Sequence, residues 1–267
     1  GTHRTLGTPQ VRPPTGRSTA VHFPYAFSGT LDNGTRVPLS DMRTAFHARL
    51  AAIDDQVLDM SRRVRRALGS ATTALLETDL GLAESVIEQD ADLDALAHQV
   101  EEGVFALLAQ QQPVAQDLRF LLAAVHNASA LERMGDLAVH IAKTTRMRYP
   151  IPVVPSELRG IIVDTSTVAS QMITKTGVAL AREDVSSARG LRDMDREMDR
   201  LHRELFIIVL SPAWEYGVRA AVDITLLSRY YERFADYAVS IGDRLVHVAL
   251  GSAPGVPPQV NGSVNPR

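Results

Sequence analysis

Two short stretches carry the residues best suited to chemistry. Leu131-Glu132-Arg133-Met134-Gly135-Asp136 and Tyr231-Glu232-Arg233-Phe234-Ala235-Asp236 both read Glu-Arg-apolar-small-Asp, and each is followed at the same interval by a valine, Val139 and Val239. On a helix, residues four apart are neighbours with Cβ atoms about 5–6 Å apart, so each motif sets two carboxylates side by side. Like charges so placed destabilise an isolated helix by roughly 0.2–0.5 kcal/mol. A cation held between them would offset that cost, and carboxylate oxygens suit hard ions such as Mg, Mn and Ca, with Fe also found among them.

Two further acid pairs stand upstream of the motifs. They are Asp90 and Asp94 in Asp90-Ala91-Asp92-Leu93-Asp94, and Asp195 and Asp199 in Asp195-Arg196-Glu197-Met198-Asp199. The candidate metal ligands are therefore Asp90, Asp94, Glu132 and Asp136 in the first half, and Asp195, Asp199, Glu232 and Asp236 in the second. Any one pair is more simply a solvated helix face with its acids paired to Arg or Lys. Their recurrence at matched positions favours a metal. His140, His98 and His202 each fall a helical turn after a motif Asp, where a ligand or its hydrogen-bond partner could sit. Ser240 and Arg203 replace His140 and His98 in the other copy, so these histidines read as incidental.

The elements that must position these acids are helices. Phe46, Leu50, Ile53, Val57, Met60, Val64 and Leu68 recur at three- and four-residue steps, which predicts an amphipathic helix from Met42 to about Glu77. Thr78-Asp79 caps a second helix, which runs from Leu80 to Pro113. Pro113 starts a third, through the first motif to Tyr149. Pro150, Pro152 and Pro155 form a stiff linker, and Ser156 restarts the programme. Glu183-Asp184 is the next break, and Ser211-Pro212 is read as the N-cap and first residue of the last helix, which ends near Leu250. The expected fold is all-α, two tandem three-helix bundles related by an internal repeat, spanning 42–150 and 156–250. Residues 1–41, rich in Pro, Gly, Ser and Thr, are expected to be a disordered leader, and 251–267 a disordered tail. Met42 is either the true start or the end of a native flexible segment.

Short turns make consecutive helices antiparallel, so the acid pairs can be levelled across each turn. Counted from Pro113, Asp94 and Glu132 come level. Counted from Pro212, Asp199 and Glu232 are out of step by about two turns. Helical projection sets Glu132 and Asp136 opposite the apolar side of their helix, and Glu232 and Asp236 likewise, so the carboxylates belong at the surface. Arg133 and Arg233, one residue on from each Glu, point away from that face and are expected to pair with acids on neighbouring helices.

The 267 residues carry a net charge of −3, no cysteine, and no apolar run near the length of a membrane span. Disulfides and thiolate metal sites are excluded, and no electrostatic footprint for nucleic acid is present. The opening residues show no signal peptide, and a cytoplasmic protein is expected.

Gln112-Pro113-Val114-Ala115-Gln116-Asp117-Leu118-Arg119 followed by the first motif resembles the PhoU family, and Arg229-Tyr230 leading into the second motif resembles that family's second signature. The resemblance covers about Met42 to Leu250. It implies two three-helix bundles in pseudo-twofold arrangement, with the acid motifs holding surface metal clusters of iron, manganese, zinc or magnesium. It also implies a cytoplasmic negative regulator of phosphate uptake and of the phosphate-starvation response. Such a regulator works between the phosphate transporter ATPase and a sensor histidine kinase, as a homodimer, reaching the inner face of the membrane only through partners. Two departures stand out: Ala130, where an acid often precedes the motif, and Ala235 in place of glycine. The competing readings are a di-iron or di-manganese carboxylate enzyme and a metal-free helical adaptor. Only Asp199 and His202 have the acid-x-x-His spacing that such enzymes use.

Overall fold

The computed structural model describes residues 39–110 and 115–250. Residues 1–38, Pro113 and the tail from Gly251 lie outside the described residues, and with them most of the expected leader, the expected helix start at Pro113 and the expected tail. Among the described residues eight α-helices follow in order: α1 (Leu39–Glu77), α2 (Leu80–Glu88), α3 (Asp90–Gln110), α4 (Ala115–Arg148), α5 (Arg159–Arg182), α6 (Val185–Arg189), α7 (Leu191–Val209) and α8 (Gly217–Leu250). A single 3-10 turn, Ser156–Leu158, precedes α5. Among the described residues there is no strand, and no helix is long and apolar enough to cross a membrane.

The apolar periodicity becomes burial. Phe46, Ile53, Val57, Met60, Val64 and Leu68 are all buried along α1. That helix begins at Leu39, ahead of Met42. Both repeats end their first helix by the same device. Thr78 turns into the left-handed region at φ 55° and Asp79 then caps α2, its Oδ1 accepting from Leu82 N at 2.9 Å. Glu183 turns at φ 50° and Asp184 caps α6, accepting from Ser186 N at 2.9 Å. A non-glycine residue there costs on the order of 1–3 kcal/mol, which the cap helps to offset. The middle helix of each unit is broken near its start, at Gln89 in the first and Gly190 in the second.

The third helix begins differently from expectation in the second unit. Ser211-Pro212 does not open α8. Ser211 Oγ accepts only from Ala213 N, Trp214 packs edge-on to Tyr216 and donates its Nε1 proton to Gly217 O, and the helix starts at Gly217 with φ 77°. The loop is therefore longer than a tight turn, with consequences for the acid register.

The two units share one continuous core. Helix α4 packs on α8 and α1 on α5, as expected for a pseudo-twofold arrangement. Buried polar ties cross between the units. Thr72 and Tyr231 share a hydrogen bond of 2.7 Å, Arg244 Nε donates to Asn127 Oδ1 at 2.9 Å, and Arg148 grips the buried Asp223 with two bonds of 2.7 and 2.8 Å. Close helix approach is bought by glycine at two places. A Cβ on Gly135 would lie 2.2 Å from Leu93 Cδ2, and one on Gly242 would lie 2.9 Å from Ala188 O. In the second unit the Gly135 position is the buried Ala235.

Candidate metal centre: two carboxylate patches

Asp90 is the first residue of α3, directly after the break at Gln89, and Asp94 follows one turn later. Glu132 and Asp136 lie on α4, which packs against α3. Their charges meet. Burial raises the Asp90 carboxyl first, and Asp94, Asp136 and Glu132 raise it further, against a lowering influence from Lys143. Glu132 is raised by burial and by Asp94 and Asp136, while Arg133 and His98 pull it down.

The second patch repeats the first. Asp195 is pushed up to about 6, by burial first and then by Asp199, Asp236 and Glu232. In each unit the first Asp of the middle helix feels the motif Asp more than the motif Glu. The 210–216 loop shortens the expected offset of Asp199 and Glu232 without closing it: Asp199 lies ten residues before the end of α7 and Glu232 fifteen after the start of α8, whereas Asp94 and Glu132 lie sixteen and seventeen residues from the facing ends of α3 and α4. None of the eight carboxylates is buried, in line with the projection.

The arginines behave differently from expectation. Arg133 Nη1 donates to Asp136 Oδ2 at 2.9 Å, on its own helix and within the motif. Three residues bring Asp136 back beside Arg133, and a long guanidinium stem reaches round to it. Arg233 forms no ion pair among the described residues; it donates to Tyr237 Oη at 3.3 Å and lies over that ring. Arg229 pairs with Glu232 instead. The histidines are mostly engaged. His140 Nδ1 bonds Asp136 O at 2.6 Å and its ring packs on Tyr230, while His202 Nδ1 bonds Ser228 Oγ at 2.7 Å. His98 faces a groove that also holds Asp94, Glu132 and His126. His126 escaped the sequence reading because it lies outside both acid motifs.

Among the described residues, no three His, Asp or Glu side chains stand at coordinating positions. The donor set still fits a hard cation. It is all carboxylate, it is matched in both units, and the Asp90 and Asp195 carboxyls are raised by burial first and then by the neighbouring acids, whose repulsion positive charge would relieve. Arg133 and Arg229 already supply part of that charge from the rim.

Comparison with known proteins adds to this geometry. A family model described as PhoU domain matches residues 57–145 and 162–245, one segment in each repeat. The chain is 41% identical over 213 residues to the phosphate-specific transport system accessory protein PhoU homolog 1 of Mycobacterium leprae, covering 80% of this chain and 96% of that protein. It is 40% identical to PhoU homolog 2 of Mycobacterium bovis, over 80% of this chain and 100% of that one. Two crystal structures share the fold. PhoU from Pseudomonas aeruginosa has a TM-score of 0.69 at 24% identity, covering 78% of this chain and all of that one. The phosphate transport system regulatory protein PhoU from Streptococcus pneumoniae has a TM-score of 0.71 at 24% identity, covering 78% and 98%.

Proposed function

This chain belongs to the PhoU family, and we propose that it restrains phosphate uptake and the phosphate-starvation response from the cytoplasmic side, between the phosphate transporter ATPase and a sensor histidine kinase. The relatives are named as accessory proteins of phosphate-specific transport, which supports a regulatory role in phosphate uptake. Those names describe accessory and regulatory proteins, so the carboxylate-enzyme reading is set aside. His202, the one residue with that enzyme spacing, is engaged with Ser228.

The observation that carries the proposal is the four-carboxylate patch written twice, once on each α3–α4 or α7–α8 pair. Asp90, Asp94, Glu132 and Asp136 would hold cations in the first unit, and Asp195, Asp199, Glu232 and Asp236 in the second. Iron, manganese, zinc and magnesium are the candidate ions. A bound cation would supply positive charge between the two helices. The carboxylates would hold it, and Arg133 and Arg229, paired with Asp136 and Glu232, would stand beside it as a positive rim. Asp94, Asp199 and Asp236 are exposed and the other five acids half-buried, so a partner can reach both patches. The homodimer expected from the sequence belongs to the same proposal.

The test is co-purification of the chain with the transporter ATPase from cells grown with ample and with scarce phosphate. Recovery that tracks phosphate supply, together with derepressed uptake when the chain is deleted, supports the role. Unchanged uptake on deletion and no recovery under either condition refute it.

A further inference from the structure

Two cavities in this fold share six repeat-related wall positions and carry opposite charge. One is lined by Arg148, Tyr149, Arg159, Tyr216, Ala220 and Asp223, among others. Superposing the repeats by their acid motifs, and Thr78-Asp79 on Glu183-Asp184, matches these six to Val248, Ala249, Asp54, Gln116, Phe120 and Ala123. All six matched residues line a second cavity, of about 250 Å³, between α1, α4, α5 and α8.

The first cavity carries its own cations. Arg148 is bound to Asp223 through two hydrogen bonds, and Arg159 donates to Glu77 Oε1 at 2.9 Å and to Leu76 O. In the second cavity Val248 stands for Arg148, Ala123 for Asp223, and an acid, Asp54, for Arg159. No basic residue lines it, and its walls include Val57, Phe120, Leu180 and Leu245. Asp54 and Glu183 both line it, and neither has an ion-pair partner among the described residues. Burial raises the Asp54 carboxyl, and the charges of Asp55 and Glu183 add to that. Asn127, only 5% exposed, also lines the cavity. Its oxygen accepts from Arg244, and its nitrogen makes no hydrogen bond among the described residues.

We propose that this second cavity binds a guanidinium or ammonium group carried on an apolar stem and supplied from outside the chain. The cation takes the place that arginine fills in the repeat-related cavity. Its charge meets Asp54 and Glu183 through charge-assisted hydrogen bonds, its stem lies along the apolar walls, and Asn127 donates to an acceptor beside it. A junction between two structural units is where ligand cavities preferentially form. The group can arrive on a free small molecule or on an arginine of a partner protein. The partner's backbone carbonyl would answer Asn127.

Isothermal titration of the full chain tests this with butylguanidinium and with a capped leucine-rich peptide bearing one arginine. Butylurea and the citrulline peptide serve as uncharged counterparts. The expected result is saturable binding of the charged probes, at least about tenfold tighter than the neutral ones and weakened at least about tenfold in the Asp54→Asn/Glu183→Gln variant. Circular dichroism melting shows that the variant is folded. A peptide that binds more tightly than butylguanidinium identifies a partner's arginine as the source, and equal affinities identify a free small cation. Absence of saturable binding by both charged probes overturns the proposal, as does equal binding by the neutral probes or by the folded variant.

Discussion

Thr72 on α1 and Tyr231 on α8 share a hydrogen bond of 2.7 Å between two hydroxyls inside the core. Tyr231 directly precedes Glu232 of the second motif, so this bond ties the first helix of one unit to the acid-bearing helix of the other. Burial pushes the Tyr231 phenol well above its ordinary range, and it stays protonated to bond Thr72. Thr72 also donates to Leu68 O, so it keeps one partner if the phenol is removed. Tyr231→Phe is expected to cost about 1 kcal/mol. That lowers the melting temperature by about 2–4 °C, measurable by circular dichroism.

Arg148 and Asp223 form the most buried ion pair of the described residues, with side chains 24% and 6% exposed. Arg148→Ala leaves the Asp223 carboxylate without its partner and is expected to lower stability. Replacing both, as Arg148→Met/Asp223→Leu, removes the stranded charge and should recover most of that loss. Chemical denaturation of the two variants distinguishes the cases: equal losses would mean that packing, not charge, holds this corner.

Much of this was legible before any coordinates. The apolar stripes, the cap at Asp79, the break at Glu183-Asp184, and the surface position of the eight acids all follow from spacing and residue type, because they depend on contacts within a turn or two. The length of the 210–216 loop was not legible. Ser-Pro is a good helix opening taken alone, and only the packing of Trp214 on Tyr216 and its bond to Gly217 O hold the chain off that course. Arg133 misled for a related reason. Projection fixes where a Cβ points, whereas the long guanidinium stem turns back to Asp136. The charge inversion between the two cavities needs both repeats folded together, since Asp54, Phe120, Leu180 and Leu245 come from four different helices.

Asp195 gives the fold a pH dependence of definite sign. Its carboxyl is raised from 3.8 to about 6, so the folded chain holds the proton more tightly than the unfolded chain does. Stability therefore falls as pH rises from about 4 to about 6, and the cost of ionising Asp195, from burial first and then from like charge, is fully present above that window. In chelator, Asp195→Asn should melt higher than wild type at pH 7.5, and the gap should close toward pH 4. A gap that widens at low pH would contradict the assigned repulsion.

Arg133 occupies one oxygen of Asp136 from the solvent side. Its exposed ion pair contributes little to stability, at most about 1 kcal/mol. Arg133→Ala should leave melting in chelator nearly unchanged and tighten Mn²⁺ binding to the first unit. Weaker binding in a folded variant would mean that the guanidinium organises the carboxylates instead of competing for them.

The central claim is that each unit holds its own cation. Asp136→Ala and Asp236→Ala each remove one carboxylate from a different patch. Wild type and both variants are loaded with Mn²⁺ or Fe²⁺, desalted, and their bound metal measured per chain. The expected result is that wild type retains metal and that each variant loses only the share of its own unit. Each variant should also melt at or above wild type in chelator and below it with metal present. If no form retains metal and all melt alike with and without it, the paired carboxylates are solvated helix faces.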